Sequence, residues 1–171
     1  MNNPTFFHLC GRPEHFGITL CLVALLIFSA RESQAAAWNG IEPLKSRRAD
    51  VEHVLGHPLI DQPGVTGTLQ FKVAGGMVTV TFVTAKFIQV HKLAPGLEGT
   101  VQEIVLQHDN ASDTPESLGL TGKKDFQRQD GQDVTVFRNT KEGLAYTFIG
   151  GKLKTTYYSP SAEQLARAQR G

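Results

Sequence analysis

Trp38-Asn-Gly-Ile-Glu-Pro-Leu-Lys-Ser-Arg-Arg-Ala-Asp-Val-Glu-His-Val-Leu-Gly-His-Pro58 reads as one short, capped helix at the opening of an exported domain. The Ser46 hydroxyl is placed to accept from an orphan backbone N–H of the first turn, and Asp50 sets a negative charge near the positive end of the dipole. A helix from Arg47 to Leu55 is therefore predicted. Val51, Val54 and Leu55 recur at i, i+3 and i+4 and make one apolar face, with Arg47, Arg48, Glu52 and His53 largely elsewhere. Gly56 permits the left-handed residue that ends a helix, and Pro58 cannot continue one. About nine residues are too few to be stable alone, so the helix must dock on the strands that follow.

Downstream, Asp61 to Gly67 is rich in Pro and Gly and reads as a loop. Thr68 to Ala74 alternates with Leu69, Phe71 and Val73 on one face; Met77 to Val83 alternates with Val78, Val80 and Phe82. Gly75-Gly76 between them reads as the two-residue connection of a β-hairpin. Thr84 to Gly99 fits a short strand or a packed loop carrying Phe87, Ile88, Val90 and Leu93, with a turn at Pro95-Gly96. Thr100 to Gln107 is β-branched and apolar on both sides and reads as a central strand covered on both faces. Asp109 to Gly122 reads as a surface connection with a helical turn at Pro115 to Leu118. Strands then follow around Val134 to Phe137, Leu144 to Ile149 and Leu153 to Tyr158, separated by turns at Thr140 to Gly143 and Gly150-Gly151. Ser159-Pro-Ser161 announces a short polar helix, Ala162 to Gln169. The two Gly-Gly hairpins look alike, which either duplication of a unit or turn geometry alone would produce. The fold class is α+β: a short N-terminal helix packed on a mostly antiparallel sheet of five or six strands, with a short C-terminal helix.

Upstream, Phe16 to Ala30 is an apolar run of fifteen residues, preceded by Arg12 and followed by Ala35-Ala36-Ala37, a small-residue processing site. Residues 1–37 read as a secretory signal peptide, leaving 38–171 as a single domain that is exported, periplasmic or secreted. The run falls short of the ~20 apolar residues of a spanning helix, so no stable membrane span is expected after the leader is removed. Cys21 follows Leu20 rather than a small residue, which argues against lipidation there. Cys10 and Cys21 both leave with the leader, so the mature part has no disulfide, thiol nucleophile or thiolate ligand. The net charge of +1 gives no ground for capture of nucleic acid or of an anionic membrane.

No catalytic, cofactor-binding or metal-binding residues are assigned. His53 and His57 have ligand spacing, but Gly56 and Pro58 end the helix between them and no third ligand lies near. His108 and Asp109 make half of a relay with Ser112 or Ser159, yet neither serine sits in a nucleophile elbow. Asp109-Asn-Ala-Ser-Asp113 starts like a calcium loop, but Thr114 replaces the required Gly and Leu120 the closing Glu. Asn110-Ala-Ser112 is a glycosylation sequon. Gly75-Gly76 and Gly150-Gly151 join strand to strand, whereas phosphate loops feed a helix. Trp38, Tyr146, Phe148, Tyr157 and Tyr158 read mainly as a packed sheet face, with an exposed aromatic patch as the other reading.

Gly40 to Pro58, the hairpin after it and Tyr158-Ser-Pro-Ser161 together resemble a group of uncharacterised, Acidobacteria-like exported bacterial proteins. More remotely, Val54-Leu55-Gly56-His57-Pro58 before a hairpin resembles the small protein A family of lipoproteins, which assist outer-membrane barrel assembly. That resemblance implies helix-on-sheet packing; here Trp38 stands where those proteins carry a lipidated cysteine. The leading functional expectation is a non-enzymatic exported binding or envelope-scaffold protein that meets an envelope protein through a sheet face or edge. The alternatives are a small-ligand carrier with a pocket under Thr84 to Gly99, and a secreted hydrolase using His108.

Overall fold

The structure, a computed structural model, describes residues 36–169. The expected signal peptide, and with it Cys10 and Cys21, lies outside the described residues except for its last two positions. The described part is α+β: one antiparallel sheet of eight strands and three helices. Helix α1 is Arg48–Leu55, followed by β1 Ile60–Asp61, β2 Leu69–Val73 and β3 Gly76–Phe82. Helix α2 is Ala85–His91, with a 3-10 turn at Pro95–Leu97, and β4 is Val101–His108. Strands β5 Gln127–Asp130, β6 Val134–Asn139, β7 Leu144–Ile149 and β8 Lys152–Tyr158 lead to α3, Ala162–Ala168.

The strand order β1-β2-β3-β4-β8-β7-β6-β5 consists of two four-strand meanders joined through their last strands. Eight strands replace the expected five or six because both edges were hidden. Strand β1 has two residues, and β5 is Gln-Arg-Gln-Asp, exposed throughout and without an apolar alternation. Charged, short edges of this kind discourage pairing with other chains. The Gly-Gly pairs occupy different places in the two meanders, since one lies between second and third strands and the other between third and fourth.

One face of the sheet is packed. Its first cluster joins Leu69, Phe71, Val78, Val80, Phe82, Val101 and Ile104 to Ile41 and to Val51 of α1. The second gathers Phe137, Phe148 and Leu153 under Leu120, with Leu118 and Phe126 of the connection 109–126 against it. Burying each such side chain contributes about 1.5–3 kcal/mol. Helix α1 docks through Val51, fully buried, and partly buried Leu55, while Val54 is 45% exposed, so the apolar face is narrower than its spacing implied.

Several local expectations are corrected. The N-cap of α1 is Arg47, whose N–H donates to the Asp50 carboxylate at 2.7 Å, while the Ser46 hydroxyl accepts from the N–H of Glu42 at 2.9 Å. The β2–β3 connection is Ala74-Gly75, since Val73 pairs with Gly76. Thr84 to Gly99 contains α2, capped by the Thr84 hydroxyl, which accepts from the N–H of Phe87, and no strand. Among the described residues, strand β4 is covered on one face only. A register shift skips Gln102 between Thr81↔Glu103 and Phe82↔Val101, which brings Val101 to the same side as Ile104 despite their odd separation. The C-terminal helix follows its expected Ser161 cap, whose hydroxyl accepts from the N–H of Gln164.

Candidate binding surface

Cross-strand registers define what the other face presents. One row runs Gln70, Thr79, Val105, Tyr157, Ala145, Arg138, Gln127; the next runs Lys72, Met77, Gln107, Thr155, Thr147, Val136, Gln129. Each row crosses seven strands, or about 29 Å at the usual ~4.8 Å spacing. No helix or core cluster among the described residues packs over these rows. Thr79, Val105, Tyr157, Thr155, Thr147 and Val136 are half-buried by their own neighbours, and the pair Val134 and Ile149 extends the surface to the end of the β6–β7 ladder. Threonine and valine hold a pleated strand while presenting methyl and hydroxyl groups, so the surface is mildly apolar and rich in hydrogen-bonding groups.

Charge on this face is sparse. Glu103 lies beside the first row and accepts a hydrogen bond from the Ser159 hydroxyl at 2.9 Å. Arg138 makes no ion pair among the described residues, and together with Glu103, Thr147, Tyr157 and Ser159 it lines a shallow groove of about 570 Å³.

The residues of the expected relay are not assembled: His108 lies on the packed side, whereas Asp109 and Ser159 are bound to Lys72 and Glu103 of the open side. The His108 ring lies 3.0 Å from the Thr156 hydroxyl, and burial lowers its pKa from the ordinary value against the weaker pull of Asp113. Asp109 is bound to Lys72 at 2.7 Å, and Ser159 to Glu103. Helix α1 ends before His57, as expected, and no cluster of three or more His, Cys, Asp or Glu suited to a metal ion occurs among the described residues. Tyr146 and Tyr158 lie half-buried on the packed side with Phe148, and burial raises both phenol pKa values; nearby Glu142 adds to the first and Tyr146 to the second. Of the aromatic residues singled out in the sequence, Tyr157 alone belongs to the open rows.

Beside the 84–99 segment, an open groove of about 370 Å³ runs between Pro43 to Lys45, Ala94 and Leu97, and α3. A smaller cleft of about 200 Å³, unanticipated in the sequence, sits at the turn 140–143 under α3. No helix among the described residues is long and apolar enough to cross a membrane. No family model matches the chain, and no curated protein or solved structure matches it.

Proposed function

We propose that this protein is a non-enzymatic, exported binding module that recognises an envelope protein through the open face of its sheet. The observation that carries the reading is the asymmetry between the two faces: one supports two apolar clusters, the other bears two seven-residue rows with no layer over them among the described residues. Six residues along a strand span about 20 Å, so the open face projects to roughly 600 Å². That approaches the ~800 Å² each partner contributes to a specific interface, before side-chain relief is added. Tyr157, central in its row and flanked by Val105 and Ala145, has the character of an anchor: a large rigid ring with a polar tip among small neighbours.

The test is comparative capture. Residues 38–171, the variants Tyr157→Ala and Thr147→Arg, and the control Lys124→Ala are used as baits against envelope extracts, with mass spectrometry of the retained proteins. A protein retained by wild type and Lys124→Ala but lost with both open-face variants supports the reading. Equal retention by all four baits contradicts it. For an identified partner, Tyr157→Ala should cost about 2 kcal/mol, or roughly thirtyfold in Kd, as truncated aromatic anchors do.

A further inference from the structure

The shallow groove of the open face holds two charged side chains of opposite sign, Glu103 of β4 and Arg138 of β6, and neither makes an ion pair among the described residues. Three strand spacings, about 14 Å, separate their strands, so the two charges stand on opposite sides of Tyr157 and Ala145. The other charges of the face lie outside the groove: Lys72 is paired with Asp109, and Lys152 sits at the β7–β8 turn. About the line between β8 and β7 this face is complementary to itself. A two-fold axis along that line, in the plane between two copies set face to face, lays β8 over the partner's β7 and β4 over the partner's β6. Tyr157, the largest side chain of its row, then stands over the partner's Ala145, the smallest, and the contact occurs twice. Large against small is how facing sheets about 10 Å apart interdigitate. Glu103 lies two residues from Val105 along β4, so it comes about 7 Å along the strand from the partner's Arg138, within the reach of that long side chain.

We propose that, until another protein takes the open face, a second copy of this chain covers it, in a two-fold dimer that sets Tyr157 against the partner's Ala145 and Glu103 against the partner's Arg138. Resting on the reading of the open face as a binding surface, this dimer regulates that surface, because a second copy and an envelope protein compete for it. The Ser159 hydroxyl donates to Oε1 of Glu103 at 2.9 Å, which steadies the carboxylate and leaves Oε2 for the guanidinium. A net charge of +1 gives two copies little mutual repulsion. Covering the face on both copies buries roughly 1,200 Å² in total, the lower limit for a specific interface, so the dimer forms reversibly and can give way to a partner.

The test is sedimentation velocity on protein purified from cells producing the full chain, with no other protein present. Wild type should pass from monomer to dimer with a Kd of about 100 µM or tighter, as an interface at this size limit allows. Its dimerisation should weaken several-fold between about 0.05 and 0.5 M salt, a measurement that needs no variant. Glu103→Arg and Arg138→Glu each turn two attractive pairs into two repulsive ones, and each should weaken self-association at least about tenfold. Mixed together, the two variants present arginine to arginine's opposite at both places, and a mixed dimer should form where neither variant pairs with itself. Only an interface in which positions 103 and 138 exchange across a two-fold axis behaves in that way. A wild-type protein that stays monomeric, a dimer indifferent to salt, or a mixture of the two folded variants that stays monomeric would each overturn the dimer. Because no other protein is present, such a failure is seen separately from failure of the envelope-partner reading, which the capture experiment decides.

Discussion

A methyl group at position 76 has nowhere to go. A Cβ built on Gly76 would overlap the carbonyl oxygen of Gln107, because β3 and β4 approach closely where the hairpin begins. The neighbouring Gly75 is needed for a different reason: its φ is +83°, but the space around a Cβ there is empty. Gly75→Ala should therefore cost about 1 kcal/mol, the left-handed penalty, and Gly76→Ala about 3 kcal/mol, the upper range for forced overpacking. Denaturant midpoints measure both, and equal costs would remove the distinction. His108 sets a pH dependence at the same scale. Burial favours its neutral ring in the folded chain, so the unfolded chain takes up the proton more readily and the associated stability, full above the ordinary histidine pKa, is lost as pH falls through the lowered folded value. His108→Gln should reduce the loss of stability between pH 7.5 and pH 5.5 in paired melts (the interval brackets the ordinary ~6.5); an unchanged loss would assign that pH dependence elsewhere.

Among the elements, α1 shows how far spacing carries and where it stops. The periodicity of Val51, Val54 and Leu55 located the helix and its end at Gly56, but could not say how wide a stripe the sheet would cover. Val51→Ala should cost about 2 kcal/mol and Val54→Ala less than about 0.5 kcal/mol, read from chemical denaturation. The two arginines opening α1 act as staples. Arg48 donates from Nη1 to the carbonyls of Gln62, Gly64 and Gly67 at 3.2–3.3 Å and pairs with Asp61, while Arg47 reaches those of Gly96 and Glu98. Arg48→Met should speed amide exchange across 62–67 and leave the β7–β8 hairpin unaffected; unchanged protection of the loop would show that it holds itself. The hairpin strands were legible because alternation marks a half-buried strand, as at Leu69, Phe71 and Val73. Edge strands β1 and β5 were not, since a strand exposed on both sides carries no hydrophobic period. Helix α2 was obscured because none of its residues is fully buried. The bulge at Gln102 shifts Val101 across the sheet, so counting residues along β4 placed an apolar side chain on the wrong face.

At the scale of the whole molecule, two meanders meet at β4 and β8, and one continuous surface results. The rows that form it were not visible in the sequence, because Val105, Tyr157 and Thr147 come from three strands whose order depends on the joining of the halves. The open face is the part of the molecule on which the proposed binding role rests. The most direct test places a photo-crosslinking side chain at Thr147, on that face, and separately at Lys124, in the connection that covers the packed side, in cells producing the full chain. A discrete adduct formed from position 147 and not from position 124 is the expected result; adducts only from position 124, or from neither, would contradict it.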